Sequence, residues 1–110
     1  KTFIDGLFKP DYAGGIVEIA KAIFKSMDKI DYKKLYEYSK NFNSQAVIKR
    51  LGFLLELLGI SHPIIEKLHK RKTDSFILLE PSYKKEGKMQ TRWSIQQNVD
   101  TDSIKEPIYT

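Results

Sequence analysis

The chain has 110 residues, 41% hydrophobic, 12% aromatic and 30% charged, and it contains no cysteine. That length fits one domain, and the apolar fraction is too high for a chain that stays disordered. Lack of cysteine excludes disulfide scaffolds, thiolate zinc sites and cysteine nucleophiles, and no apolar run reaches the roughly 18 residues of a transmembrane helix. The sequence begins at Lys1 rather than Met and shows no signal peptide, so it reads as a piece of a longer protein.

Nineteen Lys and Arg stand against fourteen Asp and Glu, a net charge of +5. The excess is uneven: residues 99–110 carry Asp100, Asp102 and Glu106 against Lys105, a net −2, leaving +7 on residues 1–98. Such a balance favours an acidic partner, either nucleic acid or an acidic protein face.

In chain order, Phe3, Ile4, Leu7 and Phe8 cluster at helical spacing over residues 2–8, and Lys9-Pro10 ends that helix. After Gly14-Gly15 comes an amphipathic helix over 16–28, with Ile16, Ile19, Ala20, Ile23, Phe24 and Met27 as its apolar stripe. Asp31 is placed to cap a third helix running to about residue 41, with Leu35, Tyr38 and Phe42 on its inner edge. Ser44 caps a fourth, 45–58, whose one thin non-apolar stripe is Gln45, Lys49, Gly52 and Glu56, so it should be the buried central helix. Gly59 ends it, and Ser61 should cap a fifth helix with Ile64, Ile65 and Leu68 in the core.

The period then changes. Phe76 to Leu79 reads as a short strand, and Lys88 onward alternates, with Met89, Thr91, Trp93 and Ile95 on one face. Residues 99–110 show no period and read as a polar tail. The expected fold class is α+β: a bundle of about five helices followed by a C-terminal antiparallel β-hairpin packed on it, because a lone hairpin is marginal in water.

The inventory for catalysis is thin. His62 and His69 are seven residues apart, which sets them roughly 10 Å apart along a helix, too far to share one ion without other ligands. Asp28 and Asp31 flank a helix junction, where capping explains the second. Gly14-Gly15 lacks the lysine, serine or threonine of a phosphate loop and follows no strand, so it reads as a turn. No catalytic, metal or cofactor-binding residue is expected. Gly52 inside the central helix costs about 1 kcal/mol against alanine, which points to a close approach by another backbone. The cations that could form an interaction surface are Lys49, Arg50, Lys67, Lys70, Arg71, Lys72, Lys84, Lys85 and Arg92.

Four stretches taken in order carry a resemblance: Lys1-Thr2-Phe3-Ile4-Asp5-Gly6-Leu7; Lys9-Pro10-Asp11-Tyr12-Ala13-Gly14-Gly15 leading into Ile16-Val17-Glu18-Ile19-Ala20; Ser44 to Glu56 with its Arg50-Leu51-Gly52-Phe53-Leu54-Leu55-Glu56 core; and Arg92-Trp93-Ser94-Ile95-Gln96-Gln97-Asn98. Together they resemble the C-terminal domain of AbiEi-type antitoxins, transcriptional regulators of prokaryotic toxin–antitoxin and abortive-infection operons. The resemblance spans residues 1–98 and leaves 99–110 outside. It implies a cytoplasmic, non-enzymatic domain that counteracts a cognate nucleotidyltransferase-like toxin, directly or indirectly. It also implies that operator DNA is bound mainly by an N-terminal winged helix-turn-helix domain that this sequence lacks, with no cofactor, membrane or small-molecule substrate involved. The alternative is a small basic module that binds nucleic acid itself, with an affinity that falls steeply with salt.

Overall fold

A computed structural model describes residues 2–109. Among them the chain forms helices α1 (Thr2–Phe8), α2 (Ile16–Ser26), α3 (Tyr32–Phe42), α4 (Gln45–Leu57), α5 (Ile64–Arg71) and α6 (Thr101–Tyr109), with a 3-10 turn at Pro10–Ala13. Three short strands, β1 (Ile77–Leu78), β2 (Lys88–Gln90) and β3 (Ile95–Gln97), form one sheet in the order β1-β3-β2. The class is α+β, as the hydrophobic periods indicate.

Local chemistry sets the first five helices. The Asp31 carboxylate accepts from the Lys34 N–H at 3.1 Å and the Ser44 hydroxyl from the Val47 N–H at 3.4 Å, so both expected caps are in place. Asn43, at φ 55°, supplies the left-handed residue that ends α3. Helix α4 is the centre of the domain: every residue from Val47 to Leu55 is buried, and α1, α3 and α5 pack around it. Its apolar residues join Leu7, Ile16, Ile23, Ile64 and Leu68 in one core.

The fifth helix starts later than expected. Ser61 is exposed and caps nothing; instead Pro63 opens α5, and His62 Nδ1 accepts from the Ile64 N–H at 3.2 Å. Tyr38 and Phe42 are 41% and 40% exposed rather than on the inner edge of α3, where Leu35 and Ser39 are buried.

The strands differ more. The long strand expected from Lys88 is broken by a turn over residues 91–94, with Ser94 at φ 54° and its N–H bonded to the Thr91 carbonyl at 3.3 Å. The hairpin is therefore β2 with β3, antiparallel, with Met89 opposite Gln96. The earlier strand, β1, adds to β3 in parallel, with Ile77 opposite Ile95. The reason is Trp93. Of the alternating set only Trp93 and Ile95 are buried, while Met89 is 49% exposed. Turning the chain at 91–94 lets the indole reach α4, where it lies over Gly52: a Cβ there would sit 2.2 Å from the ring carbons. The close approach that Gly52 permits is thus by an aromatic side chain, not by a second backbone.

Residues 99–109 do not form the expected loose tail; Thr110, the last residue of that expectation, lies outside the described residues. Asp100 caps α6 by accepting from the Ser103 N–H at 2.7 Å. Val99 and Ile104 are buried, α6 packs along α2, and Tyr109 meets Phe24 edge-on at 5.7 Å. So few apolar residues show no period, and Pro107 inside the helix obscures it further.

Candidate functional site

The nine cations singled out in the sequence divide into three groups, buried, engaged near the surface, and free, and the first lies in the interior. Lys49 and Arg50 lie on α4 and are buried, which removes them from the expected basic surface. The physical reason is that the middle of α4, Val47 to Leu55, is covered all round, so the stretch of its thin polar stripe at Lys49 and Gly52 is covered too, while Gln45 and Glu56 at its ends reach solvent. The Lys49 ammonium donates to the Thr73 hydroxyl at 3.0 Å and to the Ser75 carbonyl, so it pins the segment between α5 and β1. Burial, and then the neighbouring charge of Lys72, lower its pKa, with Asp74 pulling the other way.

Arg50 ties three elements together. Its Nη1 donates to the Leu7 carbonyl at 2.8 Å and the Phe8 carbonyl at 3.3 Å, at the C-terminal end of α1. Its Nε and Nη2 both donate to the Leu78 carbonyl of β1, at 3.2 and 2.8 Å. Burial pushes its pKa down to about 10, against the pull of the Glu80 carboxylate, so it stays charged at neutral pH. Glu80, also buried, does the complementary work at the start of α2: its Oε1 accepts from the Ile16 N–H at 2.7 Å. Cation at a helix C-terminus and anion at a helix N-terminus both oppose the exposed ends of the backbone dipoles. The Gly14-Gly15 turn therefore does receive an anion, and it is the chain's own Glu80. Gly15 has φ 99°, and a Cβ there would lie 2.9 Å from Glu80 Oε1.

Arg92 is exposed but committed. Its Nε lies 2.8 Å from both Glu56 carboxylate oxygens, and its Nη2 lies 2.8 Å from Glu66 Oε2. Those hydrogen bonds raise its pKa further. Glu56 Oε1 also accepts from the Trp93 indole N–H at 2.6 Å. Burial alone would raise the Glu56 pKa, but the bonds from Arg92 and Trp93 outweigh it and hold the carboxyl below its usual range. Lys72 is likewise turned inward, donating to Ser94 Oγ at 2.8 Å and to the Thr91 carbonyl at 3.3 Å.

The free cations that remain are Lys67, Lys70 and Arg71 on α5 and Lys84 and Lys85 between β1 and β2, all exposed and outside any ion pair among the described residues. The two groups are not one patch by connectivity. The C-terminal end of α5 is tied to Ser94 through Lys72, whereas the Lys84 carbonyl is tied to Asn98 at 3.1 Å, so they sit at opposite ends of β3. Helix α3 adds residues that sequence spacing does not join to the basic cluster. The Lys40 and Lys67 ammoniums each lie 5.7 Å from the centre of the Tyr36 ring, and Tyr32 stacks on His62 at 4.7 Å. The signal is present as Tyr32, Tyr36 and Lys40 at spacings of four, but only the packing of α3 on α5 brings in Lys67 and His62.

His62 is engaged by the Ile64 N–H and Tyr32, and His69 meets the Trp93 ring edge-on at 5.3 Å. Among the described residues no three His, Asp or Glu side chains are grouped to hold a metal ion, and every buried side-chain nitrogen or oxygen has a hydrogen-bond partner. No helix there is long and apolar enough to cross a membrane. No family model, curated protein or solved structure matches this chain.

Proposed function

We propose that this chain is a non-enzymatic interaction domain of a prokaryotic toxin–antitoxin regulator, counteracting a nucleotidyltransferase-like toxin through the free cations of α5. The observation that carries the reading is the division of charge. Inward-facing Lys49, Arg50 and Glu80 are consumed in bonds that hold the fold, while Lys67, Lys70 and Arg71 are exposed and outside any ion pair among the described residues. Free like charges on one short helix favour steered encounter with an acidic surface.

The resemblance to AbiEi-type antitoxin domains supports it further, because its separate stretches meet in space. Arg50 of the third stretch holds the Leu7 carbonyl at the end of the first; Gly52 and Glu56 of the third receive Trp93 and Arg92 of the fourth. Residues that lock one architecture are what a shared fold would keep in common.

The deciding experiment tests the purified chain against the nucleotidyltransferase-like protein encoded beside it, by co-expression and by direct binding. Relief of growth arrest, lost on Lys70→Glu with Arg71→Glu, is the expected result; unchanged arrest, or no such neighbour, overturns the reading.

A second reading, a nucleic-acid-binding module, is favoured by Tyr36 between the Lys40 and Lys67 ammoniums, since single-strand binders mix aromatic faces with cations. Fluorescence anisotropy with labelled duplex and single-stranded oligonucleotides separates the two. Nucleic-acid binding would fall steeply with salt, by a log–log slope of about −0.9 per neutralised phosphate on duplex DNA.

A further inference from the structure

Helix α3 has a second flank, which faces away from α5. Lys34, Tyr38 and Phe42 recur there at spacings of four and cover about 12 Å of helix. Phe42 packs edge-on against Phe8 of α1 with ring centres 5.0 Å apart, and the Lys9 ammonium lies 6.0 Å from the Phe8 ring and 5.4 Å from the Tyr12 ring. Phe8, Tyr12, Tyr38 and Phe42 are 42%, 78%, 41% and 40% exposed, and they are four of the eight large hydrophobic residues so exposed among the described residues. Half of that exposed set is therefore gathered where α1, the 3-10 turn and α3 meet. Contiguous exposed apolar surface of this kind marks an interaction site, whereas scattered residues do not.

The band deepens at the N-terminal end of α3 into a cavity of about 370 Å³ lined by Phe3, Ile30, Leu35 and Tyr38 together with Lys29 and Lys34. Lys9, Lys29 and Lys34 make no ion pair among the described residues. Against these three ammoniums stand two carboxylates, Asp31, which accepts from the Lys34 N–H and keeps its charge, and Asp5, the acidic neighbour of Phe8, Lys9 and Tyr12. The face is thus an aromatic groove with an excess of free ammoniums.

We propose that this face docks an acidic amphipathic helix of a partner protein, with apolar side chains in the groove and carboxylates against Lys9, Lys29 and Lys34. The recognition is helix-in-groove, with anchors at i, i+3 or i+4 and i+7 on the incoming helix. A second copy of this chain is the poorer occupant, because two-fold pairing would bring together two faces of the same net positive charge. The site is distinct from the α5 cations, of which Lys67 lies against Tyr36 on the other flank of α3.

The test is an amide NMR titration of the chain with a synthetic helical peptide of about four turns, Leu and Phe on one stripe and Glu on its flanks, alongside the same peptide with Lys for Glu. The Glu peptide should shift amides in residues 3–12 and 29–42, and Tyr38→Ser or Phe42→Ser should weaken it at least tenfold while leaving the circular dichroism spectrum unchanged. Lys34→Glu should weaken the Glu peptide and improve the Lys peptide. Absence of binding, equal binding of both peptides, shifts confined to α5, or a sedimentation profile showing dimers that Tyr38→Ser dissolves would each overturn the proposal.

Discussion

The dipeptide Lys-Arg occurs in two neighbouring helices, as Lys49-Arg50 in α4 and Lys70-Arg71 in α5. In α4 both side chains are buried and donate to carbonyls and a hydroxyl of three other segments. In α5 both are exposed and outside any ion pair among the described residues. The same chemistry serves as internal clamp in one place and as free surface charge in the other. What differs is the helix beneath. Helix α4 is apolar around nearly its whole circumference, so its cations have no route to water and must find partners inside. Helix α5 is apolar on one stripe only, Ile64, Ile65 and Leu68, and Lys70 and Arg71 lie off that stripe in solvent.

The largest difference between the two pairs lies at Arg50. Replacing it with Met leaves the Leu7 and Leu78 carbonyls unpartnered and Glu80 buried without its counter-charge. Urea unfolding should then report a loss of about 3–5 kcal/mol, and Arg50→Lys should recover only part, because one ammonium cannot reach both carbonyl sets. Gly52→Ala comes next, at about 3 kcal/mol, since the added methyl overlaps the Trp93 ring. In combination with Trp93→Leu the two effects should fall well short of additive, which a double-mutant cycle on urea midpoints would read directly.

A smaller effect is pH-dependent. Glu56 has a lowered folded pKa, so its contribution to stability is present above the ordinary carboxylate value of about 4.3 and is lost as pH falls through the folded value. Urea midpoints taken between pH 6 and pH 3, roughly spanning that window, should drop for the parent chain and drop less for Glu56→Gln. Asp31→Ala should cost about 1 kcal/mol through the lost α3 cap, seen in thermal melts. Lys70→Ala with Arg71→Ala sits at the other extreme: stability within about 0.5 kcal/mol of the parent, while binding to an acidic partner weakens. A large stability loss in that pair would erase the distinction between the two helices.

Much of the helical frame is legible in the order of the residues alone. The caps Asp31 and Ser44, the stop at Gly59 and the apolar stripes of α2 and α4 depend on residues within a few positions of one another. The strand region is harder, because its alternation runs through Thr91 and Arg92 while the chain turns there to seat Trp93. The free surface is legible in Lys67, Lys70 and Arg71 but not at Lys49 and Arg50, where charge alone says nothing about cover. The aromatic band escapes helical spacing altogether: that spacing puts Tyr38 and Phe42 in the core, and Phe8 meets Phe42 only through folding.

By itself, then, the sequence determined the five leading helices, the buried character of α4 and the requirement for glycine at position 52, because helix period, capping and the cost of a missing side chain are local quantities. Only the tertiary structure decided that β1 joins β3 in parallel, that residues 101–109 form a helix on α2, and that one Lys-Arg pair is a clamp and the other a surface. Each of those depends on which distant groups arrive as partners, and a polar or weakly apolar side chain takes its role from the neighbours that desolvate it.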